Sequence, residues 1–301
     1  GLGSWAYVER LQANVAERTA QAVPASPAAA ELAPSLELPV EVNERVDRWI
    51  QRYLTDQRRG FEQFLSRENL YGELIRRELR ERGMPRDLLY VAMIESGFST
   101  RALSPKEASG LWQFMAPTAR DYGLRVTEYV DERRDPIRAT RAALSYLEAL
   151  HARFDSWYLA AAAYNAGPNR VARLLAERGG RTAGEEELFW EIVDRLPSET
   201  REYVPKLLAA TLLAREAEAH GFQVEATEPY EFERVWVPGG TSLERIAGAL
   251  ELPVSRLRHL NPHLIRGVTP PGTSHGVRVP PGQAPLVVAS LGKRWSVADD
   301  D

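Results

Sequence analysis

The apolar positions set a helical rhythm over most of the chain. Val42, Val46, Trp49, Ile50 and Tyr53 recur at three- and four-residue steps, one stripe of an amphipathic helix. Leu74, Ile75 and Leu79 continue the pattern in a second helix that stops at Gly83, just before Met84-Pro85. Pro85 suits the first turn of a new helix, where its missing N–H is no loss. That helix, from 86 to about 95, carries Leu88, Leu89, Val91, Ala92 and Ile94, so most of its surface must be buried. Two more helices are predicted over 139–154 and 157–164. The second holds four alanines in a row at 160–163, so another helix can approach it closely. A last helix over 202–220 ends at Gly221, a natural stop. No alternating strand pattern interrupts this stretch, and 40–222 reads as one all-α domain.

The flanks differ. Residues 1–22 are weakly helical and polar, and Pro24, Pro27, Pro34 and Pro39 follow. Proline removes backbone donors and disfavours helix at the residue before it. Residues 1–39 are therefore a linker or a lead-in strapped over a neighbour. Past Glu228-Pro229 the rhythm changes to alternation over 231–237, a strand turned by Gly239-Gly240. Thr241 or Ser242 can cap a short helix through Leu250. Pro253 opens a second helix to about Leu260, and 276–280 is a second strand. This βααβ module, 229–282, is small for independent stability. The tail, 283–301, gives no firm signal, and no repeat at solenoid period is visible.

Composition narrows the function classes. Of 301 residues, 44% are hydrophobic and 27% charged, which excludes wholesale disorder. A net charge of -4 argues against a chain-wide nucleic-acid grip. The absence of cysteine excludes disulfides, thiolate zinc sites, Cys nucleophiles and Cys-linked lipid anchors in this chain. With five His, no metal centre is expected. No apolar run approaches the roughly 18 residues of a bilayer span. No signal peptide is visible at Gly1-Leu2-Gly3-Ser4-Trp5, so a signal, if the protein is exported, has been removed.

The most informative spot for chemistry is Ile94-Glu95-Ser96-Gly97-Phe98. A carboxyl at the end of so apolar a helix is expected to lose solvent, which favours its neutral form. A carboxylic acid kept protonated near neutral pH is what general-acid cleavage of a glycosidic bond requires. A helix-terminal Glu pointing to water is the other reading. Next comes Ser109-Gly110-Leu111-Trp112-Gln113-Phe114-Met115. Gly110 permits a tight turn or close backbone approach. Gln113 has donors and an acceptor suited to sugar hydroxyls or an acetamido group, and Phe114 and Met115 can form an apolar platform. Spacing alone favours a helix with its apolar side inward and Gln113 exposed. Ala163-Tyr164-Asn165-Ala166-Gly167-Pro168 and Tyr203 are open to plain cap and core readings.

Taken in order, Glu-Ser-Gly-Phe, Ser-Gly-Leu-Trp-Gln-Phe-Met, Ala-Tyr-Asn-Ala-Gly and Glu-Thr-Arg-Glu-Tyr-Val-Pro-Lys resemble the soluble-lytic-transglycosylase (SLT, family 1) catalytic domain. Arg82-Gly83-Met84-Pro85, Asp131-Glu132-Arg133-Arg134-Asp135-Pro136 and Leu196-Pro197-Ser198-Glu199-Thr200-Arg201 look most like its membrane-bound lytic murein transglycosylase D branch. The resemblance covers roughly residues 60 to 220. It implies a mainly α, lysozyme-like (goose-type) fold with a single catalytic carboxyl, which maps to Glu95. Ser104 matches the serine near the substrate's acetamido side, and Gln113 and Met115 match groove residues. Tyr164 matches the tyrosine that orients the acid, Asn165 its sugar-binding neighbour, and Tyr203 the tyrosine of the far wall. Trp112 and Ala166-Gly167-Pro168-Asn169 depart from the pattern. Val237-Pro238-Gly239-Gly240-Thr241-Ser242-Leu243 and Leu257-x-x-Leu260-Asn261-Pro262 are similar to a degenerate LysM module, with Thr241 where the signature Asp stands. That likeness implies binding to N-acetylglucosamine-containing glycan. A packing module without a ligand is the other reading.

The resemblance thus implies a peptidoglycan lytic transglycosylase. Glu95 would act as acid and then base, the product would be a 1,6-anhydro-muramoyl end, and no cofactor or metal is required. The partners are peptidoglycan glycan strands and no nucleic acid. The protein is expected to be a periplasmic monomer, outer-membrane associated only if its precursor carries an anchor. Two rivals are a goose-type-like hydrolytic lysozyme, with Asp121, Asp131 or Asp135 holding a water, and a non-catalytic cell-wall scaffold.

Overall fold

The computed structural model describes residues 37–291 and 296–297; expectations for 1–36 lie outside the described residues. The described chain is mainly helical, with one small sheet. It divides into two compact units. The first takes the chain through Leu65, then Ile75–Ile94 and Tyr146–Glu225. The second takes Ser66–Leu74, Glu95–Ser145 and the chain from Ala226 onward.

In the first unit, α1 (Glu44–Leu54) buries the predicted stripe of Val46, Trp49, Ile50 and Tyr53. Asn43 caps it by accepting from the N–H of Arg45 at 3.0 Å and of Val46 at 3.2 Å. Helix α2 (Arg58–Glu81) ends ahead of Gly83, whose φ of +63° makes the stop that glycine allows. The next helix begins as a single 3-10 turn, Arg86–Leu88, before α3 (Leu89–Ser96). Asp87 in that turn is buried and paired with Arg215, and it accepts from Leu38 N at 2.9 Å. Tyr158 donates to Pro39 O at 2.8 Å and accepts from Glu41 N at 3.1 Å. These bonds tie the chain at 38–41 onto the first unit.

Helix α4 is Ala116–Asp121, and α5 (Pro136–Phe154) starts three residues before the predicted boundary. The cause is Asp135, whose Oδ1 accepts from Ile137 N at 2.9 Å and Arg138 N at 3.1 Å. Helix α6 (Trp157–Ala166) is capped by Ser156. The Glu186 carboxylate accepts from Trp157 N at 3.0 Å and Tyr158 N at 2.8 Å, an anion set against the positive end of the helix. Its run of four alanines, 160–163, is wholly buried. Helices α7 (Pro168–Arg178) and α8 (Glu187–Ile192) follow, and α9 (Ser198–Arg215) packs on both α1 and α6.

The second unit holds the module. Strand β1 (Glu233–Val237), α10 (Leu243–Ala249), α11 (Val254–Leu260) and β2 (His275–Val279) appear in the predicted order. Ser242 is the cap, accepting from Arg245 N at 3.2 Å. Thr241 instead donates to Pro238 O at 2.7 Å, closing the turn. Asn261 accepts from Arg278 N at 2.8 Å and donates to Arg278 O at 2.7 Å, joining the end of α11 to β2. Two elements carried no sequence signal: α12 (Ala284–Leu291) and β3 (Ser296–Val297), which makes the sheet order β2-β1-β3. Val287 of α12 enters the module core, and so does Val130 from the segment ahead of α5. Asp131 N donates to His263 O at 2.9 Å and Ile265 N to Tyr129 O at 3.1 Å. Within this unit the module shares its core and its backbone ladder with residues 129–131, as so small a fold needs.

Candidate functional site

Four predicted site residues, Glu95, Ser104, Gln113 and Met115, lie in the second unit on the end of α3 and the loop after it. Three, Tyr164, Asn165 and Tyr203, lie in the first unit.

Glu95 is the penultimate residue of α3 and is half-buried, not out in bulk water. The next residue ties the helix end to the loop. Ser96 Oγ donates to Leu111 O at 2.8 Å and accepts from Ser99 N at 3.2 Å. The loop from Gly97 to Met115 is tightly wound. Phe98, Glu107 and Gln113 all have positive φ, three of the five non-glycine residues that do so among the described residues. Strain of this kind persists only where surroundings over-determine it, and it concentrates at functional sites.

Those surroundings are visible. Gly110 N donates to Ala102 O at 2.9 Å, and Ser109 N to Phe114 O at 3.1 Å. Gly110 has φ +84°, and a Cβ on it would fall 1.8 Å from Arg133 O. Arg133 is buried and grips Asp131 through two nitrogens, at 2.9 and 2.8 Å. Its third nitrogen donates to Glu107 O at 2.8 Å and Phe114 O at 3.1 Å. A charge-assisted clamp of this form is strong and rigid. Trp112 is fully buried and donates to Thr140 Oγ1 at 2.9 Å.

The clamp decides what the loop side chains offer. Ser104 Oγ accepts from Lys106 N at 3.2 Å and Ala108 N at 3.0 Å, so its own proton is left to point at a ligand acceptor. Gln113 is in a turn, not a helix. Its amide nitrogen donates to Gly110 O at 2.9 Å and Ala102 O at 3.2 Å. Both donors are therefore engaged by the loop, and Oε1 is the ligand-facing capacity that remains. Phe114 is buried and joins no platform; Met115 is 43% exposed and does offer an apolar surface.

In the first unit, Tyr164 and Asn165 end α6. Tyr164 lies 5.2 Å from the ring of Tyr146. Asn165 Oδ1 accepts from Thr200 Oγ1 at 2.7 Å, and its Nδ2 donates to Glu199 at 3.1 Å. The structure thus brings Asn165 onto the first turn of α9. Tyr203 lies one turn further along α9 and is buried at 5% exposure.

The carboxylates offered as holders of a hydrolytic water are otherwise engaged, apart from Asp121, which is exposed at the end of α4. Asp131 belongs to the Arg133 clamp. Asp135 is buried and 2.6 Å from Arg278. Burial is the largest single influence and would raise its pKa, but the Arg278 charge, the neighbouring His263 and the hydrogen bonds from Arg138 N and Arg278 together hold it below the usual range. Beside it, burial lowers the His263 pKa to about 3, so the imidazole is neutral. Among the described residues no group of His, Cys, Asp and Glu is arranged to hold a metal. No helix among them is long and apolar enough to cross a membrane.

Arg133, Thr200 and Arg278 were given no role from sequence. The run Asp131 to Pro136, quoted from sequence only for its resemblance, is largely interior: Asp131, Glu132, Arg133 and Asp135 are all buried. The close mix of both charge signs within the run was the signal available.

Comparison with known proteins follows the same segments. Residues 73–186 match the family described as Transglycosylase SLT domain, and 231–293 match Lytic transglycosylase MltD, LysM-like domain. Membrane-bound lytic murein transglycosylase D of Escherichia coli is 32% identical over 228 residues, 75% of this chain and 49% of its own length. Soluble lytic murein transglycosylase of Escherichia coli is 31% identical over 146 residues, 46% of this chain and 22% of that protein. The solved 70 kDa soluble lytic transglycosylase of Escherichia coli is 24% identical, covers 59% of this chain and 31% of its own, and has a TM-score of 0.42. The chain spans about half the length of the first of these relatives.

Proposed function

The chain carries a transglycosylase SLT domain followed by a LysM-like domain, and from that premise we propose that it is a peptidoglycan lytic transglycosylase. Glu95 protonates the oxygen between N-acetylmuramic acid and N-acetylglucosamine, and the C1–O bond breaks. The muramoyl acetamido group supports the cationic centre from the opposite side. Glu95, now ionised, takes the proton of the same sugar's 6-hydroxyl, and that oxygen closes onto C1. The product is a 1,6-anhydro end, and no water is consumed. One residue serving as acid and then base requires a pKa near the working pH.

The observation that carries this reading is the placement of Glu95. It is half-buried at the end of an apolar helix, beside a loop held in strained turns by a buried clamp. The free proton of Ser104 suits an acetamido carbonyl, Gln113 Oε1 a sugar hydroxyl and Met115 an apolar sugar face. The resemblance gives Tyr164, Asn165 and Tyr203 their substrate-binding roles. Engagement of Asp131 and Asp135 in buried ion pairs weighs against their holding an attacking water. Peptidoglycan lies outside the cytoplasmic membrane, so the periplasm is the place of action. The test is Glu95→Gln with purified sacculi. Turnover should vanish while the variant still sediments with sacculi. An active variant, or an inactive wild type, overturns the assignment.

A further inference from the structure

The outer face of the β1–β2 ribbon is built unlike a solvated sheet face. Val235 and Val237 point into the core, leaving Arg234 and Trp236 on the other side; the register sets Arg234 opposite Arg278 and Trp236 opposite Gly276. Two arginines directly opposite repel each other. Arg278 is neutralised by Asp135. Arg234 forms no ion pair among the described residues, and its stem lies across Gly276, where a Cβ would meet Arg234 Cδ at 2.8 Å. Trp236 is 44% exposed, a large aromatic face left in water.

These groups line an open recess of about 210 Å³ within the second unit. Four guanidinium groups, of Arg125, Arg138, Arg234 and Arg278, meet two carboxylates, Glu132 and Asp135, an excess of two positive charges. Neither carboxylate is free to face a ligand. Arg125 grips Glu132 at 2.9 and 2.8 Å, Arg138 Nε lies 3.4 Å from the same carboxylate oxygen, and Arg278 holds Asp135. His263 and His275 add no charge, since both are held neutral at pH 7 chiefly by burial. The volume is below that of drug-sized pockets, roughly 300–1,000 Å³, so the recess takes a fragment and not a long oligosaccharide. Guanidinium groups match carboxylates, and an indole face matches the apolar face of a pyranose.

We propose that this recess is a binding site for a carboxylate-bearing sugar fragment of the glycan strand, apart from the Glu95 loop. Arg234 holds the carboxylate, Arg138 adds its charge from its place beside Glu132, and Trp236 takes the sugar face. The choice of ligand rests on the transglycosylase reading, because peptidoglycan supplies carboxylates on its peptide stems and, where a stem has been removed, on the muramoyl lactyl group. On this account the LysM-like module selects acidic, muramic-acid-containing glycan instead of neutral N-acetylglucosamine chains.

The experiment is calorimetric titration of the full chain bearing Glu95→Gln. The probes are a disaccharide-tetrapeptide, the stem-free disaccharide with its lactyl carboxylate, the free stem peptide, and neutral chitotetraose. Binding of the acidic saccharides should weaken with salt, and Arg234→Gln should weaken it about tenfold, the loss of one charge-assisted contact. Arg138→Gln should act in the same direction, with both variants melting like their parent. The stem-free disaccharide and the free stem then tell which carboxylate is held. Chitotetraose binding as tight as that of the acidic saccharides, or affinity unmoved by both substitutions, overturns the proposal. Cleavage of sacculi by the unsubstituted chain is read separately, so failure of the enzyme reading is distinguishable from failure of the recess.

Discussion

Gly110→Ala tests whether the loop after Glu95 is held by its contact with residue 133. Two effects add. The first is conformational: Gly110 has φ +84°, and an L side chain there costs about 1–2 kcal/mol. The second is the 1.8 Å approach of the new Cβ to Arg133 O, a backbone atom; clearing 3.0 Å requires a displacement of 1.2 Å, from 3.0 minus 1.8. Residue 133 cannot move so far and keep its guanidinium contacts to Asp131, Glu107 O and Phe114 O. Loss of one or two of these adds about 2–4 kcal/mol. The expected destabilisation is therefore roughly 3–6 kcal/mol. Gly123→Ala is the matched control, since Gly123 has φ +80° and nothing within 4 Å of its built Cβ. It should lose only the conformational part, about 1–2 kcal/mol. Urea unfolding followed by circular dichroism measures both, and sacculus turnover should fall much more in the first variant. Equal destabilisation of the two would refute the reasoning, because the clamp would then contribute nothing.

Other outcomes follow from the buried polar groups. Arg278→Leu leaves Asp135 as an unpaired buried charge and should destabilise by about 3–5 kcal/mol, whereas Asp135→Asn combined with Arg278→Leu should lose less than the single change; urea midpoints decide. Because burial keeps His263 neutral down to about pH 3 while the unfolded chain protonates near 6.5, its contribution is complete above pH 6.5 and declines as pH falls toward 3. Stability of the unsubstituted protein should drop by up to about 1.4 kcal/mol per pH unit more than that of His263→Gln in this window, and parallel curves would contradict it. Asn165→Ala leaves the buried Thr200 hydroxyl without its acceptor and should lower stability by about 1–3 kcal/mol in the same assay.

The helical stripes were legible because burial on one face writes itself into the spacing of Val46, Trp49, Ile50 and Tyr53. The module's strand, two helices and strand were legible for the same reason. Helix α12 was not, since the uniformly apolar Leu286-Val287-Val288 gives no period to read. The helical reading of 113–115 met a turn instead: Gln113 has positive φ and its amide nitrogen donates to Ala102 O and Gly110 O, while Arg133 holds Phe114 O, contacts that spacing does not reveal. Glu95 stood out through its apolar helix. The groups that position its loop did not, because Arg133 and Asp131 look like ordinary surface charges until the fold buries them.

The central claim is that one carboxyl closes the anhydro ring with no water taking part. Digestion of sacculi in water enriched in oxygen-18, with mass analysis of the muramoyl ends, addresses it directly. The account predicts anhydro ends, one water lighter than reducing ends and carrying no label. Reducing muramic acid bearing oxygen-18 at C1 would contradict it.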